Sequence, residues 1–351
     1  MPDSSPISVR AYRPGDEQAL VELFRRVFGR AITEDHWRWK LKGQPATVDN
    51  VWLAVSEDRP VFQYAGIPTR FRLLQATVTS MVSVDTMTAP EFRRRGLLTQ
   101  VAGQAYAAWR ESGIAFVIGL PNNQWGSRTG ALGWQPLAPL QWMMRPLRPE
   151  AFLARRLNLP VLKRATLAAA VANRFLQARL RRDREVQTER VRNADESFDQ
   201  IWERCKSDWS FSTVRDRNWV NWRFLSSPSR TYELTLARRA GQPVGYCVHS
   251  LIESKERTIA YLAEVLVARA DDATRDTLLW ELIETLLATH VEALSTLAVP
   301  GTPWFRCLRR IGFIPRHTFS VELVPLSTQL PMDLLLDPNR WNLTGADFDV
   351  V

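Results

Sequence analysis

Cysteine is scarce in this chain. Across 351 residues only Cys205, Cys247 and Cys307 occur, too few and too scattered for a disulfide framework or a thiolate metal site. Cys307 falls on an expected helix late in the chain and reads as a small buried hydrophobe. Histidine is limited to His36, His249, His290 and His317, none in metal-ligand spacing such as His-Glu-x-x-His, so no metal is expected. No apolar run approaches the roughly 18 residues of a membrane-spanning helix. Met1-Pro2-Asp3-Ser4-Ser5 lacks the basic and apolar regions of a signal peptide, and the expected location is the cytoplasm.

What is present suffices for two ordinary cores. The hydrophobic share is 45% and the charged share 24%, over a length that accommodates two domains of roughly 100–200 residues. The net charge of +9 is unevenly spread: positions 151–192 hold eleven Lys or Arg against three acids, leaving the rest nearly neutral. Within that segment Val161 to Arg182 reads as a helix, with Leu162, Ala165, Ala169, Ala172, Leu176 and Leu180 on one stripe and Lys163, Arg174 and Arg181 opposite. A linker helix lying on its neighbour and a basic helix touching an anionic surface or acidic partner are both open. The alanine-rich stripe would bury little area, which favours the first. No aromatic-basic interleaving or nucleic-acid module is visible, so nucleic acid is not an expected partner.

The segment with most chemistry is Pro90-Glu91-Phe92-Arg93-Arg94-Arg95-Gly96-Leu97-Leu98, between a strand-like run (Ser80 to Thr88) and an apolar-periodic stretch. Unpaired N–H groups and the positive dipole end of a helix start favour an anion there. Arginine adds forked donors suited to phosphate oxygens, and Gly96 admits the ligand close to the backbone. Alone, such a turn is better read as a solvated basic turn after a strand. Its sequel carries Leu97, Leu98, Val101, Ala102, Ala105, Tyr106 and Trp109 at helical spacing, so one face is buried while the amino end stays free.

Here the chain resembles the GNAT superfamily of acyl-CoA-dependent N-acyltransferases, whose pyrophosphate loop reads Arg/Gln-x-x-Gly-x-Gly/Ala. The match is Arg93-x-x-Gly96-x-Leu98, with Leu98 replacing the last small residue. Gly119-Leu120-Pro121-Asn122-Asn123, Leu132-Gly133-Trp134 and the opening Val9-Arg10-x-Tyr12-Arg13-Pro14-x-Asp16 extend the resemblance from about Ile7 to Pro146. It implies an α/β (α+β) fold with a central twisted mixed sheet flanked by helices, and acetyl-CoA or another acyl-CoA as co-substrate. Expected elements are strands Ile7 to Tyr12, Val51 to Ser56, Val61 to Ala65, Phe71 to Ala76, Ser80 to Thr88, Ala115 to Leu120 and Leu140 to Pro146. Helices are expected over Asp16 to Phe28, with Asp16 as N-cap, near His36 to Leu41, and near Ser127 to Leu132.

A second copy of the unit is legible. Trp39-Lys40-Leu41 and Pro45 match Trp222-Arg223-Phe224 and Pro228, while Leu53-Ala54 and Pro60-Val61 match Leu236-Ala237 and Pro243-Val244, all 183 residues apart. Asp85, Pro121, Trp125 and Gly133-Trp134 match Glu264, Pro300, Trp304 and Gly312-Phe313 at an offset of 179. That offset sets Asp272 opposite Arg93 and Arg275 opposite Gly96, an acidic turn without the hinge that would repel a pyrophosphate. The expected organisation is therefore 1–150 as a CoA-binding GNAT-like domain, 151–192 as a basic linker, 193–326 as a degenerate GNAT-like domain and 327–351 as a tail. Leu278, Leu279, Leu282, Ile283, Leu286 and Leu287 form the apolar face of the second copy's long helix.

The resemblance also implies the reaction: direct attack of a primary amine, the small-molecule acceptor, on the acyl thioester. A base, a carbonyl donor and an acid are needed. Asp85 is the one ionisable side chain on the fourth strand, and reads equally as base or as a structural acceptor. Met87 and Thr88 would supply the backbone donor. Arg93, Arg94, Arg95, Gly96, Leu97, Leu98 and Thr99 would hold the phosphates, and Asn122 and Ser127 the pantetheine arm. The family's usual tyrosine acid falls on Thr129, which cannot replace a phenol, so water, Tyr106 or Tyr64 would protonate the thiolate. Trp37, Trp39, Trp219 and Trp222 read as helix packing before acceptor cleft. Rival functions are a non-catalytic acyl-CoA-binding regulator, a Fem-type aminoacyl-tRNA-dependent peptidyl transferase, which generally lacks the Arg-x-x-Gly loop, and an interaction scaffold. Homo-oligomerisation is compatible with any of them.

Overall fold

The computed structural model describes residues 6–45, 48–121, 125, 128–157, 166–254 and 257–348. The first half opens with β1 (Ile7–Ala11), α1 (Glu17–Phe28) and α2 (Glu34–Lys42), followed by β2 (Val51–Ser56), β3 (Arg59–Leu73) and β4 (Ala76–Thr88). Then come α3 (Leu97–Glu111), β5 (Phe116–Gly119), α4 (Arg128–Ala131) and β6 (Gln135–Pro146). Helix α1 buries Leu20, Leu23 and Phe24. Asp16 sits at its N-cap in helical geometry without a side-chain cap, because its carboxylate is taken by the Arg10 guanidinium at 2.7 and 2.8 Å. Helix α2 is capped by Thr33, whose side chain accepts from the His36 N–H.

The two strands expected between Val61 and Ala76 are one, β3. Gly66 N–H donates to Asn50 O on the β2 side, so the Pro68 nitrogen, two residues on, faces the same side beyond the last β2 pairing at Ala65. No ladder bond is lost there, and the strand runs through its proline.

Two helices lead to the second half, α5 (Pro149–Arg156) and α6 (Thr166–Gln177). Residues 161–165, the start of the helix expected from Val161, lie outside the described residues, and α6 ends before Arg182. Next come β7 (Val186–Val191), α7 (Glu196–Cys205), β8 (Phe211–Thr213), α8 (Arg217–Val220), β9 (Tyr232–Arg239), β10 (Gln242–Glu253) and β11 (Thr258–Val267). The half closes with α9 (Asp272–Leu287), β12 (Ala293–Ala298), α10 (Pro303–Arg310) and β13 (Ile314–Pro325), then α11 (Met332–Leu335) and β14 (Trp341–Asn342). Helix α9 buries Leu278, Leu279, Leu282, Ile283 and Leu286, and Cys307 on α10 is buried.

All the described strands join one mixed sheet, in the order β1-β2-β3-β4-β5-β13-β6-β12-β11-β10-β9-β7, with β8 and β14 attached beside β3. The centre is an exchange. Strand β6 pairs β12 of the other half over Gln141 to Pro146, while β13 pairs β5 over Glu322 to Pro325. The two exchanged strands pair antiparallel with each other. One hydrophobic core consequently mixes Val117 and Leu140 with Leu297, Val321, Leu323 and Trp341. Across the join Trp39 and Trp222 stack at 5.7 Å, and each indole N–H donates to the other's backbone carbonyl, at 2.9 and 3.0 Å. Among the described residues no helix is long and apolar enough to cross a membrane.

Candidate active site at a splayed strand pair

Strands β4 and β5 run parallel but share register only at Met81–Val117 and Val82–Ile118. Beyond that point β4 continues to Thr88 with its β5-facing edge unpaired by any described strand, while β3 holds its other edge through Phe62–Thr88 and Gln63–Met87. A bulge interrupts that ladder between Gln63 and Ala65, and Asp85, opposite it, takes φ of +47°. Such a conformation is uncommon outside glycine and re-aims the strand.

At the mouth of the splay the chain turns through Pro90–Phe92 into α3. Arg94 at φ +63° and Gly96 at φ +75° place left-handed residues in the turn, and Gly96 is the helix N-cap with no side-chain cap. The first N–H groups of α3 are therefore left for solvent or an anion. Phe92 and Leu97 are buried and pin the loop, and the Arg95 guanidinium lies 4.6 Å above the Phe92 ring. Arg26 pairs with Glu91 at 2.8 Å and holds its carboxyl below the usual range, which keeps this acid from competing with a phosphate. Arg93 and Arg94 are exposed, and their guanidinium groups donate no hydrogen bond among the described residues.

A hollow of about 450 Å³ lies over this loop, lined by Thr86, Thr88, Arg93, Arg94, Arg95, Gly96, Leu97, Leu98 and Thr99, with Phe28, Phe62 and Trp125 supplying apolar walls. Eight of the residues expected from sequence thus meet in one cavity. Met87 is buried and does not line it. Asn122 and Ser127 lie outside the described residues. A larger hollow of about 800 Å³ between α2, β2 and the far end of α3 contains none of the loop residues.

Asp85 is engaged in a contact that sequence reasoning missed. Its carboxylate pairs with Lys40 of α2 at 2.8 Å, the side chains being 9% and 3% exposed, and its backbone carbonyl accepts from Gln63. Gln63 also accepts from the Trp37 indole N–H at 3.2 Å. The signal for Lys40 was its place in the Trp-Lys-Leu segment, which the sequence matches to Trp222-Arg223-Phe224. Thr129 lies on the short α4. Beneath Trp125, Tyr64 and Tyr106 share a buried 2.7 Å hydrogen bond. Burial pushes the Tyr64 phenol up to about 12, partly offset by hydrogen bonds with Ser83 and Tyr106, and burial raises Tyr106 too.

The matched region of the second half is narrower, with a hollow of about 120 Å³ lined by Glu264, Val265, Thr296, Trp304 and Thr344. Strands β11 and β12 also part early, after Tyr261 and Ser295. The gap is partly filled by the chain's last described residues: Gly345 packs on the Tyr261 ring, and buried Arg215 ties Glu264 at 2.6 Å to Asp347 at 2.8 Å. Helix α9 starts one turn earlier than the 179-residue offset implies. Its N-cap is Asp271, whose carboxylate accepts from the Thr274 N–H and pairs with Arg239. Where Gly96 leaves the helix-start donors open, the Asp271 carboxylate takes the Thr274 N–H and sets a negative charge at the helix start.

The acetyltransferase (GNAT) domain family matches residues 8–137. No curated protein matches the chain significantly. Solved structures share its fold: a GCN5-related N-acetyltransferase from Anabaena variabilis superposes with a TM-score of 0.66 at 11% identity, over 92% of this chain and 73% of that one. A probable N-acyltransferase of unknown function from Enterococcus faecalis gives 0.68 at 11% identity, over 94% and 75%. A GCN5-related N-acetyltransferase from Kribbella flavida gives 0.63 at 13%, over 91% and 71%. With the splayed strands, the uncapped helix and the arginine turn all inside the matched segment, residues 8–137 are an acetyltransferase domain of the GNAT family.

Proposed function

We propose that this protein transfers an acetyl or related acyl group from acyl-CoA to a primary amine by direct attack. The observation that carries the reading is the uncapped start of α3 beneath Arg93 and Arg94, opening onto the unpaired edge of β4. Phosphates fit the helix start and arginines. An extended amide-bearing arm fits a strand edge, which offers it backbone hydrogen bonds. The backbone N–H of Met87 or Thr88 would polarise the thioester carbonyl. Asp85 would take the ammonium proton, with Lys40 holding it in place. Tyr64 and Tyr106, protonated throughout the physiological range, supply the phenol that Thr129 lacks.

The second half is read as a degenerate duplicate. Its support is the strand order, which lists equivalent elements from either edge inward, and the reciprocal Trp39–Trp222 contact between matched repeat positions. A binding module without turnover is the second reading, favoured by the Asp85–Lys40 pair and by Thr129 at the usual acid position. Titrating acetyl-CoA into the purified protein and then assaying thiol release across a panel of amines separates the two. Binding with amine-dependent thiol release is expected. Binding without release from any amine would favour the module, and no binding would remove both readings.

A further inference from the structure

Helix α6 is inside out. Its inner face is Ala169, Asn173 and Gln177, and the helix is held by polar contacts. Asn173 donates to Leu147 O at 2.8 Å, Gln177 to Glu284 at 3.0 Å and to Trp280 O, while buried Arg145 donates to Asn173. At about 100° per residue the opposite face is Leu167, Val171 and Phe175. They are 78%, 63% and 64% exposed. Solvated globular helices place these types the other way, so three large apolar side chains in line on the outer face mark a surface built to be covered.

The surroundings say by what. Arg174 and Arg179 are exposed beside the ridge, the Arg179 guanidinium lying 5.0 Å from the Phe175 ring, and exposed Arg181, Arg182 and Arg184 follow. No acid occurs in α6. Of the acids nearby, Glu281 is taken by Arg182 and Asp183 by Arg239, which leaves exposed Glu185 against Arg174, Arg179, Arg181 and Arg184. An isologous contact with a second copy would bring these like charges together. An anionic bilayer surface complements both parts, taking the apolar side chains at the headgroup boundary while arginines meet lipid phosphates.

We propose that the Leu167–Val171–Phe175 ridge docks this protein peripherally on an anionic phospholipid surface. The test is flotation of the full chain with phosphatidylcholine vesicles with and without phosphatidylglycerol, at low and high salt. Wild type is expected to float with the anionic vesicles, less so in high salt. Leu167→Asn/Val171→Asn/Phe175→Asn should lower the partition at least tenfold while its far-UV circular dichroism and melting temperature stay unchanged, since the replaced side chains are exposed. Arg174→Gln/Arg179→Gln, far from the fold's cores, should weaken binding to anionic vesicles alone. Absence of wild-type flotation, or flotation that survives the triple substitution, overturns the proposal. So does light scattering that finds a wild-type dimer made monomeric by the triple substitution without vesicle binding, which would assign the ridge to a second copy.

Discussion

In the proposed anion site Arg93 and Gly96 would act by different physics, so their substitutions should differ in kind. Arg93→Ala removes a charged donor, and one charge-assisted hydrogen bond is worth about 1.5–3 kcal/mol, or roughly 10–150-fold in the acetyl-CoA dissociation constant. At Gly96 a Cβ would meet nothing within 4 Å, so Gly96→Ala should cost only left-handed strain of about 1–2 kcal/mol. Gly96→Asp should abolish binding, since it mimics Asp271 at the start of α9. Calorimetry reads all three, and equal losses for Ala and Asp would assign the effect to backbone alone. Asp85→Asn should lower kcat by about 10²–10⁴ with acetyl-CoA affinity little changed. It also strands a buried ammonium, at about 3–5 kcal/mol of stability. Adding Lys40→Gln should restore the melting temperature but not turnover. Turnover recovered with stability would make Asp85 structural.

At the scale of elements, the start of α1 makes a pH prediction. Burial alone would raise the Glu17 carboxyl, but hydrogen bonds from Tyr12, from the backbone at Glu17 and Gly15, and from Arg38 outweigh it and hold the group at about 2. A depressed folded value means the stabilisation is complete above the unfolded value near 4.5 and lost as pH falls toward 2. Glu17→Gln should therefore cost about 1–3 kcal/mol at pH 7 and much less near pH 2.5. A penalty independent of pH between those points would discard the assignment. Helices α1, α3 and α9 were legible because long apolar periodicity and tertiary burial agree. Helix α6 was legible in existence and partly in orientation: Ala169, Leu176 and Leu180 turn inward and Arg174 and Arg181 outward as expected, but Ala172 is exposed, and polar Asn173 and Gln177 take the centre of the buried face and leave Leu167, Val171 and Phe175 outside. Residue patterns assume that apolar means inward, and only the neighbours' hydrogen-bonding groups reveal the exception. That Arg93 to Thr99 line one hollow at a helix start was legible because such a start is local. The Asp85–Lys40 pair was not, since it joins elements 45 residues apart.

For the whole molecule the decisive arrangement is the exchange of β6 and β13, which no periodicity encodes. Each strand has an ordinary pattern, and which partner it finds depends on the other half being present. Matched offsets of 183 and 179 pointed to two similar units but left open whether they fold side by side or through each other. A chain ending at residue 192 should accordingly be insoluble or molten, because the inner edge of β5 and the core around Val117 and Leu140 lack β13, Leu297 and Trp341. The intact chain should unfold in one transition in urea, with tryptophan fluorescence and circular dichroism superimposed. Two separated transitions would mean that the halves are independent.

The same exchange sets an order of events during synthesis. At roughly 5–20 residues per second, the arginine turn leaves the ribosome many seconds before β13. Throughout that interval β5 presents a bare edge beside a finished sequence for the anion loop, and no native partner for it yet exists. Completion of the acyl-transfer half is thus timed by the arrival of residues 314–325, at the far end of the chain. A premature stop anywhere before them should yield no partly active enzyme, only material for the chaperones.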